Sequence, residues 1–445
     1  MKYGTIPDSR NHLAADKIRT QVIMTREKYA RLKAQANRLG ISYSSYINVL
    51  ISSSEQEHSM ENFNPEDVAQ KIMDAVQKEY KDLKKLNVMI LGKTGVGKST
   101  LINNMFSEKI AETGVGKPVT TKIRKIEKPD FPLAIYDTPG LELSGENSVN
   151  NLLTEVTDQI KAGIKSGDIS QAIHCIWYCV GTPSHRFEET EIEFLKRFLD
   201  ETEYFNVPVI IVLTQSYSKK DAQALKSEIE KENLKIANVV PVLAEDYEID
   251  DDYIAKAFGL DRLSEIMNNV IPDGVKKTFI AVQIASIDLK KGRAQTVVAT
   301  SAAAAAATGA VSIPFSDAIL LVPEQVAMLA GITAVFGISV EKATLTAIIT
   351  GTIGTAGTTV LGKTFVSNVL KLIPGVGTAV GGAISGATAA ALTAALGETY
   401  IILLIKVIKG EMKMVDLETE AGLKLISGIY KDQLKVKRDT SGKAQ

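Results

Sequence analysis

Cysteine, histidine and tryptophan are scarce in this chain of 445 residues, which has two, four and one of them. Two cysteines cannot build a disulfide framework, and such low use of cysteine is typical of a reducing compartment. Both lie in the apolar run from Ala172 to Val180, where we expect buried thiols that pack as small apolar side chains. The histidines show no ligand spacing, so the sequence predicts no zinc site.

An excess of charge of either sign is also missing, since 51 Lys and Arg face 52 Asp and Glu. No global field therefore points to a polyanionic partner, and any electrostatic choice of partner must be local. The polar N-terminus lacks an apolar core, so no signal peptide is predicted. The chain is too long to fold around a single hydrophobic core, and we expect about three domains.

A phosphate-binding loop is the strongest motif of the chain. An apolar run ends in a glycine-rich turn that leads into a predicted helix, which is the context that a P-loop requires. The predicted nucleotide contacts are Gly92, Lys93, Thr94, Gly95, Val96, Gly97, Lys98, Ser99 and Thr100. The glycines let backbone N–H groups converge on phosphate oxygens. Lys98 supplies positive charge near the β- and γ-phosphates, Ser99 a hydroxyl for Mg²⁺, and the helix N-terminus a positive dipole end.

Two further motifs follow within residues 87 to 272, where strands and helices alternate as in a doubly wound α/β domain with a mostly parallel sheet. A polar segment carries Thr120, and an apolar strand ends in Asp137-Thr138-Pro139-Gly140. Asp137 is placed to hold the hydration shell of Mg²⁺, and the Gly140 N–H to approach a γ-phosphate oxygen. We therefore predict that Ser99, Thr120 and Asp137 organise the metal. The predicted catalytic set is Lys98, Thr120, Asp137 and Gly140.

The base-binding motif is altered. A buried strand ends in Thr214-Gln215-Ser216-Tyr217, where guanine-specific proteins carry Asn/Thr-Lys-x-Asp. Tyr217 thus replaces the aspartate whose carboxylate accepts hydrogen bonds from guanine N1 and N2. Asp221 substitutes for it only if the loop bulges. Thr214, Gln215 and the backbone N–H of Ala244, after the next strand, are the predicted base contacts, and the choice between guanine and adenine stays open.

These motifs together resemble a branch of Era-like, septin-related and immunity-related P-loop GTPases, often fused in bacteria to an apolar helical domain of unknown function. The resemblance implies a Ras-like α/β fold, GTP and GDP as ligands, and Mg²⁺ as cofactor. Gly95 replaces the asparagine of potassium-activated relatives, so potassium activation is not implied. Leu141 stands where Ras-like enzymes carry glutamine, and because leucine cannot orient water, intrinsic hydrolysis should be slow. A dimer, a partner or a nearby polar residue such as Glu142 would then position the water.

Residues 1 to 56 are predicted to form a separate βαα segment, with a short strand followed by two helices. Such a unit buries its apolar face only by pairing with a second copy, which favours a homodimer. The stretch from Gly40 to Ile47 resembles ribbon-helix-helix repressors, and this resemblance implies DNA contacts by Arg19 and Gln21 on the strand. A helical hairpin for dimerisation or regulation is the alternative. Residues 57 to 86 are predicted as a linker and a lead-in helix.

Composition changes after Arg293, because residues 294 to 316, 343 to 362 and 372 to 397 contain no charge and are rich in Ala, Gly and Thr. The sequence around Ile313 to Ala318 resembles an apolar domain family that includes bacterial inner-membrane proteins. Each run has the length of a bilayer span, yet small residues contribute little transfer energy. Membrane hairpins, a soluble apolar bundle and a bundle that inserts on dimerisation all remain open. Residues 273 to 430 are thus a predicted all-α apolar domain, and 431 to 445 a polar tail.

The favoured function is a GTPase with slow turnover whose nucleotide state is coupled to the apolar helical domain at the cytoplasmic side of the inner membrane, together with an effector or activating partner. The first alternative is a nucleotide-gated DNA-binding protein that acts through residues 17 to 52. The second is a structural protein that binds nucleotide without hydrolysing it.

Overall fold

The computed structural model describes residues 29–30, 32–33, 64–107, 123–138, 146–184, 186–309, 323–353 and 386–441. Tyr29 and Lys33 are helical, within the first of the two predicted N-terminal helices. The predicted DNA contacts Arg19 and Gln21 lie outside the described residues, and so do Thr120 and Gly140 of the predicted catalytic set.

A six-stranded sheet forms the centre of the nucleotide domain. In chain order its strands are β1 (Leu86–Gly92), β2 (Arg124–Glu127), β3 (Leu133–Asp137), β4 (Cys175–Gly181), β5 (Val209–Thr214) and β6 (Asn238–Pro241). Their spatial order is β2-β3-β1-β4-β5-β6, and β2 pairs antiparallel with β3 whereas the other neighbours are parallel. β1 and β5 are buried along their whole length, as expected for parallel strands covered on both faces. The predicted mostly parallel α/β fold is confirmed.

Helices cover both faces of this sheet. In chain order the helices up to residue 270 are α1 (Pro65–Lys81), α2 (Lys98–Met105), α3 (Glu146–Lys165), α4 (Glu189–Thr202), α5 (Lys219–Lys231) and α6 (Leu260–Val270). The core on one face includes Trp177 stacked on Phe106, and the core on the other includes Tyr178 and Phe194. A hairpin of β7 (Tyr247–Asp250) and β8 (Tyr253–Ala255) follows β6.

Cys175 and Cys179, both in β4, are buried free thiols. Burial raises the pKa of each thiol to about 12. Such thiols stay protonated at neutral pH and pack as apolar groups, which confirms the sequence prediction.

The C-terminal region is all-helical in the described residues. Its helices are α7 (Asp273–Val282), α8 (Ile287–Gly309), α9 (Pro323–Phe336), α10 (Lys342–Ile353), α11 (Gly386–Ile408) and α12 (Glu420–Ser441). α7 joins the two units, because Phe279 packs into the core on the sheet and Ile280 into the core of the helical region.

The lead-in helix α1 packs inside this helical region, a contact that the sequence analysis did not anticipate. Its buried residues Ala69 and Ile72 belong to the same core as Met328 and Tyr400, and α1 contacts α9 and α10. The helical domain is therefore built from segments that precede and follow the nucleotide domain in the sequence. Its first helix directly precedes β1.

α11 is the described helix with the length and composition of a membrane span. Its segment Ala389–Ile408 has 20 residues with a mean hydropathy of 1.8, and half of it is buried inside the protein. The apolar run from Tyr400 to Ile405, which is too short to span a bilayer alone, is part of this longer helix. Since the core helix of a soluble protein passes the same test, α11 alone does not decide between the three alternatives for this region.

Candidate nucleotide-binding site

The P-loop joins the end of β1 to the start of α2, and its shape depends on three glycines. Gly92, Gly95 and Gly97 have φ angles of 145°, 77° and 91°, which favour glycine. A Cβ on Gly92 would lie 2.6 Å from the carbonyl oxygen of Cys179 in the neighbouring strand. The backbone can therefore turn tightly over the sheet edge and present its N–H groups to an anion.

Lys98 lies inside this loop. Its Nζ donates to the carbonyl oxygens of Gly92 at 2.8 Å and Lys93 at 3.1 Å. Burial lowers the pKa of Lys98, and the nearby Asp137 carboxylate opposes this effect. A largely desolvated cation at the start of a helix is suited to bind phosphate, since helix dipole and charge act together.

Asp137 ends β3 beside β1, where Ile90 is its partner in the register. Its Oδ1 is buried and has no hydrogen-bond partner among the described residues. Burial raises the pKa of Asp137, while the charges of Lys98 and Arg124 lower it. A buried carboxylate oxygen without a partner is costly unless a cation satisfies it. The oxygen donors Asp137 and Ser99, which lies in the first turn of α2, fit Mg²⁺, a cation that prefers oxygen ligands.

Thr214 and Gln215 hold the P-loop from the end of β5. The Thr214 hydroxyl donates to the carbonyl oxygen of Val96 at 2.6 Å, and the Gln215 side-chain amide donates to that of Gly95 at 3.1 Å. Gln215 itself has a positive φ of 53°, a strained conformation for this residue. The structure thus places both predicted base-contact residues against the P-loop.

A pocket of 190 Å³ opens beside the loop at the carboxyl ends of β5 and β6. Its walls include Gly97, Thr100 and the predicted base contacts Thr214, Gln215 and Ala244. Ligands of open α/β sheets bind at this end of the strands.

The pocket is also lined by two tyrosines that were not among the predicted base contacts. Tyr217, which replaces the expected aspartate, packs its ring 4.3 Å from that of Tyr247, and both line the pocket. Asp221 lies in the first turn of α5, where its backbone N–H donates to the Ser218 hydroxyl, and it does not line the pocket. The proposed bulge that would bring Asp221 to the base is therefore absent from the described loop.

The side chain of Lys93 points away from the loop toward the start of α4. Its Nζ forms ion pairs with Glu188 at 2.8 Å and Glu191 at 3.3 Å, at the start of α4. These ion pairs join the P-loop to the start of α4 and leave the Lys93 backbone N–H as its predicted phosphate contact.

The end of the P-loop helix contacts the junction between α7 and α8, which sequence patterns did not reveal. The Ser107 N–H donates to the Val282 carbonyl oxygen and the Ile284 N–H to that of Met105, each at 2.9 Å. Phe106, between these two contacts, stacks on Trp177 with ring centroids 5.9 Å apart. These bonds join segments almost 180 positions apart, and no local pattern encodes such a pairing.

The strand order, the glycine-rich loop and the acidic residue at the end of β3 define a P-loop GTPase domain. In agreement, residues 87–215 match the family model described as 50S ribosome-binding GTPase. The predicted resemblance to P-loop GTPases, septins among them, is confirmed for this part of the chain.

Among individual proteins, human (Homo sapiens) Septin-12 is 26% identical over 188 residues, which cover 37% of this chain and 51% of the septin. Septin-9 of Rattus norvegicus is 30% identical over 133 residues, covering 25% of this chain and 24% of that protein. The chain thus spans about half or less of these relatives. The remaining length of each protein is unmatched.

Among solved structures, an Aquifex aeolicus Era variant bound to GDP and aluminium fluoride has a TM-score of 0.32 and 20% identity, covering 50% of this chain and 68% of that one. Toc33 from Arabidopsis thaliana in complex with GDP and Mg²⁺ has a TM-score of 0.29 and 19% identity, with 48% and 92% covered. Because these scores are low, the fold assignment rests on the family match and the strand order.

Proposed function

We propose that this protein binds GTP with Mg²⁺, hydrolyses it slowly and transmits the state of the nucleotide to its helical domain. The observation that carries the proposal is the direct hydrogen bonding between the end of the P-loop helix and the α7–α8 junction. A shift of α2 on binding or loss of the γ-phosphate would act on this junction first.

The geometry of the loop supports the chemistry proposed for it. Backbone N–H groups between Gly92 and Ser99 bind the phosphates, and Lys98 neutralises their charge in a partly buried site. Ser99 and Asp137 would hold Mg²⁺, which when bound neutralises charge on the β- and γ-phosphates. Thr120 and Gly140 remain the predicted sensors of the γ-phosphate. Slow turnover is proposed because Leu141 offers no group that orients water.

Lys290 supports the transmission step, because it ties the α7–α8 junction to α9. Its buried Nζ donates to the carbonyl oxygens of Ile280 and Ala281 at the end of α7, and to those of Val335 and Phe336 at the end of α9. The distances are 2.8 to 3.1 Å. The ends of α2, α7 and α9 are therefore connected through one short series of hydrogen bonds.

Nucleotide binding is tested with purified full-length protein and a fluorescent GTP analogue. Lys98→Ala is expected to abolish measurable binding, since it removes the ammonium group that bonds to the carbonyl oxygens of the loop, whereas that of Lys93 is paired with Glu188 and Glu191. Lys85→Ala, at the other end of β1 where the side chain pairs with Glu127, is the matched control. Equal affinity of wild type and Lys98→Ala would refute the proposal.

Transmission is tested with Trp177, the sole tryptophan of the sequence. Because its ring stacks on Phe106 at the end of the P-loop helix, its fluorescence should differ between GTP-analogue and GDP states. Hydrogen exchange at α9 should change with the same nucleotide dependence. A fluorescence change without any change at α9 would confine the nucleotide response to the GTPase domain.

We also propose that the protein acts at a membrane, with which its helical domain associates. The length and hydropathy of α11 support this proposal. Carbonate extraction of membranes from expressing cells distinguishes an integral from a soluble helical domain, since integral helices stay in the pellet and a soluble bundle is released.

We also propose that the protein forms a homodimer. Sedimentation with GDP and with a GTP analogue tests this proposal.

A further inference from the structure

The wall of the pocket beside the P-loop includes an acidic residue that no sequence motif identified. Glu245 directly follows Ala244 and lines the pocket together with Gly97, Thr214 and Tyr217. It is the only carboxylate among the described residues that form the pocket wall. A nucleotide whose phosphates lie on the P-loop would extend its base toward this wall, because Gly97 and Thr100 belong to both the loop and the pocket.

The polar groups after β5 are already engaged elsewhere. Thr214 and Gln215 bond to carbonyl oxygens of the P-loop, and the Ser216 hydroxyl is buried against the Leu213 carbonyl oxygen at 2.8 Å and the Thr182 hydroxyl at 2.9 Å. Tyr217 contributes a ring that packs on Tyr247. This segment therefore supplies support and an aromatic wall, but no carboxylate for a base.

Glu245 is available for a ligand. Within the described residues its carboxylate has no hydrogen bond or ion pair, whereas the adjacent Asp246 pairs with Lys256 at 2.8 Å and accepts from the Ala257 N–H at 2.8 Å. Glu245 lies near the phenol of Tyr217. Burial raises the pKa of Tyr217, and the neighbouring Tyr247 and Glu245 raise it further.

A free carboxylate in this place distinguishes purines by their hydrogen-bonding edge. Guanine presents two adjacent donors, N1–H and the N2 amino group, and a carboxylate with two acceptor oxygens matches them. Adenine presents a lone pair at N1 and no donor at C2, so the same carboxylate would face an acceptor and remain unpaired. Sites that hydrogen-bond a ligand group discriminate strongly against ligands that lack it.

We propose that Glu245 is the guanine-selecting residue of this protein and takes over, from the loop after β6, the role of the aspartate that Tyr217 replaces after β5. Its carboxylate accepts from N1–H and N2–H of guanine, and the Tyr217–Tyr247 pair forms the aromatic side of the base pocket. This inference rests on the proposed nucleotide function and names the base that the site takes.

The test is competition binding on full-length protein with GTP, ATP and xanthosine triphosphate against a fluorescent GTP analogue. Wild type should prefer GTP to ATP. Glu245→Gln should weaken GTP binding by about 10- to 100-fold, since a charge-assisted pair is replaced by an amide that faces the N2 amino group with a donor. The same variant should bind xanthosine triphosphate better than wild type does, because its amide donates to O2 and accepts from N1–H.

Two comparisons make the result decisive. Asp246→Asn is the matched control, because Asp246 is adjacent in sequence, is engaged with Lys256 and does not line the pocket; it should keep the wild-type order of nucleotides. Glu245→Ala should lose GTP affinity without the gain for xanthosine triphosphate. An unchanged ratio of GTP to xanthosine triphosphate in Glu245→Gln would overturn the inference.

Failure of the inference is distinguishable from failure of the proposed function. If wild type binds GTP and Lys98→Ala does not, the phosphate site stands, and an unaltered base preference in Glu245→Gln rejects only the role of Glu245. If wild type binds none of the three nucleotides, both the proposed function and the role of Glu245 are rejected.

Discussion

Close packing of α8 against α11 predicts opposite effects for two glycine-to-alanine substitutions in the same helical domain. In α11, a Cβ on Gly397 would lie 2.5 Å from Cγ2 of Val298 and 2.9 Å from Sδ of Met328. In α12, a Cβ on Gly428 would meet no atom within 4 Å. Gly397→Ala should therefore destabilise the domain, and Gly428→Ala should stabilise it.

The magnitudes follow from two opposing terms. Alanine gains about 1 kcal/mol over glycine inside a helix, and this is the whole effect expected at Gly428. At Gly397 the methyl group also overpacks the core, which costs roughly 1–3 kcal/mol. Val298 cannot give way easily, since a β-branched side chain in a helix has one strongly preferred rotamer. We expect a net loss of up to about 2 kcal/mol.

A rescue variant tests the cause of this loss. Val298→Ala removes the Cγ atoms that the new methyl group would meet, so Val298→Ala with Gly397→Ala should be less destabilising than the sum of the single changes by about 1–2 kcal/mol. Hydrogen exchange of the α11 amides is the suitable measurement, because a chain with several cores does not unfold in one step. Stabilisation by Gly397→Ala, equal to that by Gly428→Ala, would refute the packing of α8 on α11 at this point.

Three further predictions concern buried polar groups. Lys290→Met should lower the stability of the helical domain by about 2 kcal/mol, because it leaves four carbonyl oxygens without their donor, and should abolish nucleotide-dependent hydrogen exchange at α9. Asp137→Asn should raise the melting temperature of the nucleotide-free protein by removing the charge of a buried carboxylate, and should weaken the Mg²⁺ dependence of GTP binding. His174 accepts the Asn87 N–H and donates to the Ile169 carbonyl oxygen, and burial lowers its pKa below 6.5. The unfolded chain therefore binds the proton more readily, so the melting temperature should fall as pH decreases below 6.5, and His174→Gln should remove this slope.

Local patterns were sufficient for the phosphate site. The strand, the glycine turn and the helix start that place Lys98 are contiguous in sequence, and Asp137 follows its own apolar strand. In a parallel sheet, neighbouring strands bring their carboxyl ends to the same edge, so these residues meet without further information. The base pocket was less predictable, because Tyr217, Glu245 and Tyr247 meet only through the paths of two loops after different strands.

The contacts between the domains were not predictable from local sequence. α1 is an amphipathic helix next to β1, and its pattern alone does not specify which core buries Ala69 and Ile72. Lys290 is one of several charged residues at the start of α8. The residues around it in the sequence do not indicate that its amino group binds carbonyl oxygens at the ends of both α7 and α9. Such placements depend on tertiary packing, which can override local propensity.

The discontinuous helical domain gives a physical reason why its state should follow the P-loop. α1 is fastened to α7 by the Lys277–Glu79 ion pair, and the Thr278 hydroxyl donates to the Lys84 carbonyl oxygen at 2.6 Å, two residues before β1. The segment that leads into β1 and the end of the P-loop helix are thus hydrogen-bonded to α7 and to the junction that follows it. A displacement of α2 relative to β1 must therefore either strain α7 or move it. Because α7 also ends at Lys290, movement of α7 changes the position of α9, whereas a nucleotide domain held at one end only could adjust without such an effect.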